Sequence, residues 1–140
     1  MAQILKEKKP RESNIDIKEA SASGIELIVE MMGYDAAIVV DAIATRGQIG
    51  TIHKLKPEEL KETIHVTAPH LFNFASAYEW GKCFAPQEMP KKITIYGVEI
   101  EPKTDFTQNL TEKIAEAAQQ IASEIIRDLD NSEQMNASAT

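Results

Sequence analysis

Two side chains with the chemistry of a binding or catalytic site stand beside predicted secondary-structure elements in this sequence. Asp41 ends the apolar run of residues 36–40, and His70 follows Pro69 just ahead of a predicted helix. Carboxylates and imidazoles are ligands that borderline divalent ions such as nickel and zinc accept. Each residue also has a plain structural interpretation, because Asp41 could cap the turn after its strand and His70 could bond to its helix backbone. Residue type alone leaves both interpretations open.

The remaining imidazoles and the single thiol carry weaker signals. We interpret His53 and His65 as surface or strand-edge residues. Cys83 follows Lys82, a neighbour that can lower the pKa of a thiol. No histidine for acyl transfer is placed beside Cys83 in the sequence, so we expect this thiol to be inert.

The composition narrows the classes of function. The 140 residues favour one domain, and 15 basic against 22 acidic residues give a net charge of −7. This excess of acid argues against nucleic-acid binding and against a polybasic membrane surface. No apolar run approaches the roughly 18 residues of a membrane span, and the N-terminus has no apolar core of a signal peptide. With one cysteine and no possible internal disulfide, the expected compartment is the cytoplasm.

Predicted strands alternate with predicted helices along the chain, which is typical of a doubly wound α/β sheet. The continuous apolar run of residues 36–40 predicts a strand that is buried on both faces. The predicted strands are 14–19, 36–40, 51–54 and 92–100, and the predicted helices are 1–8, 25–32, 57–61, 71–82 and 111–129. We expect one domain over residues 1–129 and a disordered, polar tail over residues 130–140.

Helical spacing of apolar residues predicts which faces of the helices are buried. The expected buried positions are Ile25, Ile28, Val29 and Met32 in the second helix, Phe74, Ala77, Tyr78 and Gly81 in the fourth, and Ile114, Ala118, Ile121, Ile125 and Leu129 in the last.

An ordered set of motifs runs through most of the chain. Residues 33–51, GYDAAIVVDAIATRGQIGT, join a G-Y-D turn to a buried strand ending in V-D-A and a loop closing in G-x-x-G-T. EASASG at 19–24 precedes it, and TAPHLFNFASAYEWGK at 67–82 and IYGVEIEP at 95–102 follow it. In this order and spacing, the motifs resemble those of the hydrogenase maturation protease family.

The resemblance implies a fold and an activity. The fold would be a three-layer, doubly wound, mostly parallel sheet with helices on both faces, like that of phosphorylases and hydrolases. The activity would be that of an endopeptidase that removes the C-terminal extension of a nickel-containing hydrogenase large-subunit precursor. The precursor carries the nickel, and the resemblance assigns Asp41 and His70 to sensing that metal. Glu19 stands at a further acidic position of the family, where we expect contact with the substrate.

The start of the chain departs from the family pattern. Family members begin with an apolar strand, a Gly-x-Gly-Asn turn and an acid-rich loop that supplies a first metal-binding carboxylate. Residues 1–5 of this chain instead look like the middle of the first family helix, so we expect the fold to be N-terminally incomplete. Strands 14–19 and 36–40 would then lack a shared neighbour, which would expose apolar faces and backbone groups. A second interpretation follows, in which the protein binds the hydrogenase precursor during assembly without cleaving it.

Overall fold

The computed structural model describes residues 2–8, 14–19, 24–61, 69–101 and 112–138. Its elements, in chain order, are helix α1 (Ala2–Lys8), helix α2 (Ile25–Met31), strand β1 (Ala36–Ile43), strand β2 (Ile52–Leu55), a 3-10 helix (Pro57–Lys61), helix α3 (Pro69–Phe84), strand β3 (Lys92–Glu99) and helix α4 (Glu112–Ser138). Helices and strands therefore alternate as the sequence predicts, with one exception near the N-terminus.

The described strands form one sheet in the order β1-β3-β2. Strand β3 pairs in parallel with β1, from Ala36 opposite Lys92 to Ile43 opposite Glu99. On its other side it pairs in antiparallel fashion with the shorter β2. Because β3 has a neighbour on each side, it is the most buried strand, with Ile95 fully inaccessible to solvent.

Helices cover both faces of this sheet. Alternate residues of a strand point to opposite faces. Ile93 and Ile95 of β3 pack with Ile28 of α2 and Phe74 of α3 on one face. Tyr96 and Val98 pack with Ile121 and Ile125 of α4 on the other, where α1 also lies against α4. The predicted three-layer α/β class, with a mostly parallel sheet, is confirmed.

Strand β1 is less buried than its apolar sequence predicts. Within the described residues it has a neighbour only on the β3 side, and Ile38 is 40% exposed. The expectation of burial on both faces is therefore wrong for this strand. Since a strand needs partners on both sides and a layer on each face to be fully enclosed, an edge position explains the difference.

The strand predicted at residues 14–19 is the exception to the expected order. These residues have no regular secondary structure, so that prediction is wrong. The segment is held by side chains instead, because Lys18 Nζ lies 2.6 Å from Glu30 of α2 and the Tyr34 hydroxyl donates a hydrogen bond to Asp16. Alternation of polar and apolar residues suits a strand, but a strand forms only beside a partner that binds its backbone groups.

The helices agree with the predictions except for the buried face of α2 and the end of α4. The stripes of α3 and α4 are confirmed, with the listed residues buried or half-buried. In α2, Ile25 and Val29 are exposed, because a helix of seven residues presents one narrow strip, formed by Ile28 and Met31. Helix α4 continues to Ser138, well past the predicted end at residue 129, since no glycine or proline interrupts residues 130–138. Among the described helices, none has the length and apolarity needed to cross a bilayer.

Candidate functional site

The carboxyl ends of β1 and β3 meet at one edge of the sheet, which is where open α/β sheets bind their ligands. At this edge one row of residues crosses all three strands. Asp41 of β1 lies opposite Gly97 of β3, and Gly97 lies opposite His53 of β2. Two strand spacings separate Asp41 from His53, or about 10 Å between their Cα atoms. Gly97 contributes no side chain between them.

Asp41 points to the face of the sheet that is covered by α2 and α3. Its neighbours two residues away in the strand face the same way, because Ile43 belongs to the core cluster on that face and Val39 packs against it. The Oδ1 atom accepts a hydrogen bond of 2.8 Å from the N–H of Ala42, and Oδ2 is shielded from solvent. Asp41 thus lies inside the strand, two residues before its end, and not at the position of a cap for the following turn.

His70 is the second residue of α3, on the same face of the sheet. Helix α3 ends at Phe84, shortly before β3 begins, so its C-terminus lies at the amino end of the sheet. Its 16 residues span about 24 Å, close to the ~26 Å of an eight-residue strand. The first turn of α3 therefore lies toward the edge that carries Asp41. Leu71 belongs to the same core cluster as Ile43, in agreement with this placement.

The side chain of His70 lies outside the described part of the structure, so its pairing with Asp41 in a metal site stays a prediction. Among the side chains that are described, no group of three histidines, cysteines, aspartates or glutamates is placed to hold a metal ion. Glu19 is exposed, and its Oε1 lies 3.6 Å from Lys6 Nζ of α1. Its predicted contact with a substrate is likewise untested.

A buried acid that the sequence interpretation missed, Glu99, ends strand β3. Its side chain is fully inaccessible to solvent and reaches into the loop between β1 and β2. Oε1 accepts hydrogen bonds from the backbone N–H groups of Thr45 (2.6 Å) and Gly47 (3.2 Å), and Oε2 accepts one from the Thr45 hydroxyl (2.7 Å). The run IYGVEI did contain a signal, since a charged residue in an otherwise apolar buried strand must find partners.

His53 completes the surroundings of Glu99. Its Nε2 lies 3.3 Å from Oε2 of Glu99, while the ring remains partly exposed. The predicted strand-edge position of His53 is confirmed, because it lies in β2 at the edge of the described sheet. Its contact with a buried carboxylate was not predicted. Cys83 is exposed near the end of α3, and His65 lies outside the described residues.

The environment of Glu99 favours its charged form. Burial alone would raise the pKa of this carboxyl group. The hydrogen bonds from the side chain and backbone of Thr45 and from Gly47, together with the nearby His53 ring, outweigh burial and hold the pKa below its ordinary value. The loop therefore folds around a permanent negative charge at neutral pH.

The fold and the site together define an α/β protein with a polar site at the carboxyl ends of its parallel strands. We call this end of the sheet, which carries Asp41 and Glu99, the ligand edge. Comparison with known proteins is consistent with this class. The family model described as hydrogenase maturation protease matches residues 1–128, so the chain belongs to the hydrogenase maturation protease family. The resemblance drawn from the motifs is confirmed, and with it the general class of maturation endopeptidases.

One curated relative is similar in sequence, and two solved structures share the fold. The hydrogenase 2 maturation protease of Escherichia coli strain K12 is 28% identical over 112 residues, which cover 76% of this chain and 67% of that protein. The hydrogenase maturating endopeptidase HybD from E. coli has a similar fold, with a TM-score of 0.71 and 23% identity, over 93% of this chain and 82% of that one. The solution structure of an endopeptidase from E. coli gives a TM-score of 0.66 and 24% identity, over 89% and 77%.

Proposed function

We propose that this protein is an endopeptidase that removes the C-terminal extension from the large-subunit precursor of a nickel-containing hydrogenase. The observation that supports it most is the position of Asp41, at the ligand edge of the sheet and on the face covered by α3, whose first turn contains His70. The proposed compartment is the cytoplasm, in keeping with the single cysteine of the chain.

In this proposal, Asp41 and His70 bind the nickel that the precursor carries. One carboxylate and one imidazole suit a borderline divalent ion and leave most of its coordination positions to groups of the precursor. A divalent ion at such a site can polarise a peptide carbonyl or activate a water molecule. The role of the protein is then to place the scissile bond beside the metal. Exposed Glu19 is proposed as a further contact with the precursor.

The test is incubation of the protein with a nickel-loaded large-subunit precursor, followed by intact-mass measurement of the precursor. We expect the wild type to shorten the precursor. We expect D41N and H70A to leave it at full length, because each variant removes a ligand atom. D35N is the matched control. This variant makes the same change of charge as D41N, but just before β1, at the opposite, amino end of the strand. It should therefore cleave the precursor normally.

A different outcome would favour the second interpretation. Stable binding of the precursor by the wild type, with no cleavage under any nickel loading, would identify a non-catalytic assembly protein. Cleavage that survives D41N or H70A would contradict the assignment of these residues and leave the peptidase activity to another part of the chain.

A further inference from the structure

We propose that Arg46 binds a carboxylate of the precursor's C-terminal extension, and that Glu99 is the positioning residue that presents Arg46 for this contact. The inference rests on the proposed function, because it assigns the recognition of that substrate to the loop between β1 and β2. Four observations support it, and they concern the backbone of the loop, its anchoring, its charge and its place beside Asp41.

Arg46 has an unusual backbone conformation. Its φ angle is 66°, which is the left-handed region, and it is the only non-glycine residue with positive φ among the described residues. Side chains without a local polar group rarely adopt this conformation, since it costs on the order of 1 kcal/mol or more. Asparagine or glycine would fit the position at lower cost. A strained arginine at a ligand edge therefore suggests a role for its side chain.

Hydrogen bonds to Glu99 hold Arg46 in this conformation. The residues on either side of Arg46, Thr45 and Gly47, both donate their backbone N–H groups to the same carboxylate oxygen of Glu99. This two-point attachment fixes the chain direction before and after Arg46. Gly47 fits because an added Cβ would lie 3.3 Å from Oε2 of Glu99, closer than most such contacts allow.

The far end of the loop is attached to the same residue through its backbone. Gly50 N–H donates to the carbonyl oxygen of Glu99 at 2.9 Å, and the N–H of Glu99 donates to the carbonyl oxygen of Thr51 at 2.9 Å. Gly50 also passes close to Lys113 of α4, where a Cβ would meet backbone at 3.1 Å. The loop is therefore rigid at both ends, and a rigid loop binds a ligand at a lower entropic cost than a mobile one.

The side chain of Arg46 is available for binding. It is exposed, and within the described residues it takes part in no hydrogen bond or ion pair. A guanidinium group recognises carboxylates through two parallel hydrogen bonds, so a carboxylate is the ligand that its chemistry favours. The whole chain, with Arg46 included, carries a net charge of −7, which repels an acidic peptide. Arg46, which has no ion-pair partner in the part of the chain that the structure describes, gives such a peptide a local point of attraction.

The loop lies close to the proposed cleavage site. Ile43 is paired with Glu99, and Asp41 is paired with Gly97 two positions earlier. Asp41 and Glu99 thus point to the same face, with Cα atoms about 8 Å apart on strand geometry. When Arg46 binds a carboxylate of the extension, the peptide bonds that precede this carboxylate would lie near Asp41.

The central experiment compares the binding and cleavage of nickel-loaded precursor by the wild type, R46N and R127A. Asparagine tolerates the left-handed conformation, so R46N removes the cation and keeps the loop. R127A makes the same change of net charge on an exposed arginine of α4, on the opposite face. We expect R46N to raise both the Kd for the precursor and KM about tenfold, with kcat nearly unchanged and the melting temperature not lowered. R127A should match the wild type.

The role of Glu99 has its own pair of variants. In E99Q the amide oxygen can accept the two backbone hydrogen bonds that Oε1 now accepts, so precursor affinity should stay within a few-fold of the wild type. E99A removes both bonds and should weaken precursor binding as much as R46N does. Amide hydrogen exchange at Gly47 should be faster in E99A than in E99Q. Equal exchange in the two variants would contradict the positioning role.

Altered precursors distinguish the two possible sources of the carboxylate, an acidic side chain of the extension and its chain terminus. If it is an acidic side chain, replacing the acidic residues of the extension by amides should abolish the difference between the wild type and R46N. If it is the chain terminus, extending the precursor by several uncharged residues should do so. A difference that survives both changes would overturn the choice of ligand.

The outcomes separate this inference from the proposed function. If the wild type binds the precursor without cutting it, the peptidase proposal fails, and weaker binding by R46N than by R127A still supports the role of Arg46. If the wild type cuts the precursor and R46N has the same KM and Kd, the role of Arg46 is wrong and the peptidase stands. A wild type that does not bind the precursor overturns both.

Discussion

A carboxylate that is fully buried, like that of Glu99, is stable as an anion only while its hydrogen bonds are kept. The pKa of Glu99 is lower in the folded protein than in the unfolded chain. Its contribution to stability is therefore complete above the unfolded pKa, near 4.5, and is lost as the pH falls through the folded pKa.

E99Q tests this linkage. The free energy of unfolding of the wild type, from urea titrations, should fall more steeply with acid below pH ~4.5 than that of E99Q, because the variant has no proton to take up. E116Q, at an exposed position of α4, should keep the steep dependence of the wild type. Parallel curves for the wild type and E99Q would contradict the assigned ionisation.

At the scale of elements, Gly97 is the feature that lets β1 and β3 pack at the site. A Cβ at this position would lie 2.8 Å from Cδ1 of Ile43, which is nearly fully buried. G97A should therefore lower the free energy of unfolding by about 1–3 kcal/mol through overpacking. In the background of I43V, which lacks that Cδ1 atom, the same change should cost less. Chemical denaturation of the wild type, the two single variants and the double variant gives the coupling energy, and an equal cost in both backgrounds would mean that this contact is not the cause.

The elements also show how far local sequence patterns reach. Strand β3 and helices α3 and α4 were predicted because their apolar patterns extend over many residues and coincide with the faces that pack in the core. Residues 14–19 have the alternation of a strand, but the pattern does not reveal whether a partner strand is present. Asp41 was predicted as a site residue from its motif, and its role stays a prediction. Glu99 was missed because its hydrogen-bond partner Thr45 is 54 positions away, a separation that no local pattern spans.

At the scale of the whole molecule, β1 has no strand partner on one side among the described residues, and this edge is a candidate site of association with other chains. Exposed strand edges with apolar side chains pair readily with other chains, and Ile38 lies on this edge. I38K should reduce concentration-dependent self-association in sedimentation velocity. I25K makes the same substitution at an exposed isoleucine of α2, away from the edge. It should associate like the wild type, and equal behaviour of the two variants would show that the edge is not responsible.

The strand order has a consequence for the way the protein acquires its structure. Strands β1 and β2 follow one another in the chain but lie on opposite sides of β3, so among the described strands neither has a neighbour until β3 has been synthesised. Both of these strand pairings link distant parts of the sequence, which slows folding. The loop that carries Arg46 is fixed by the last residue of that strand. We therefore expect the ligand edge to become ordered in the same step as the sheet, so that partly folded chains do not present it.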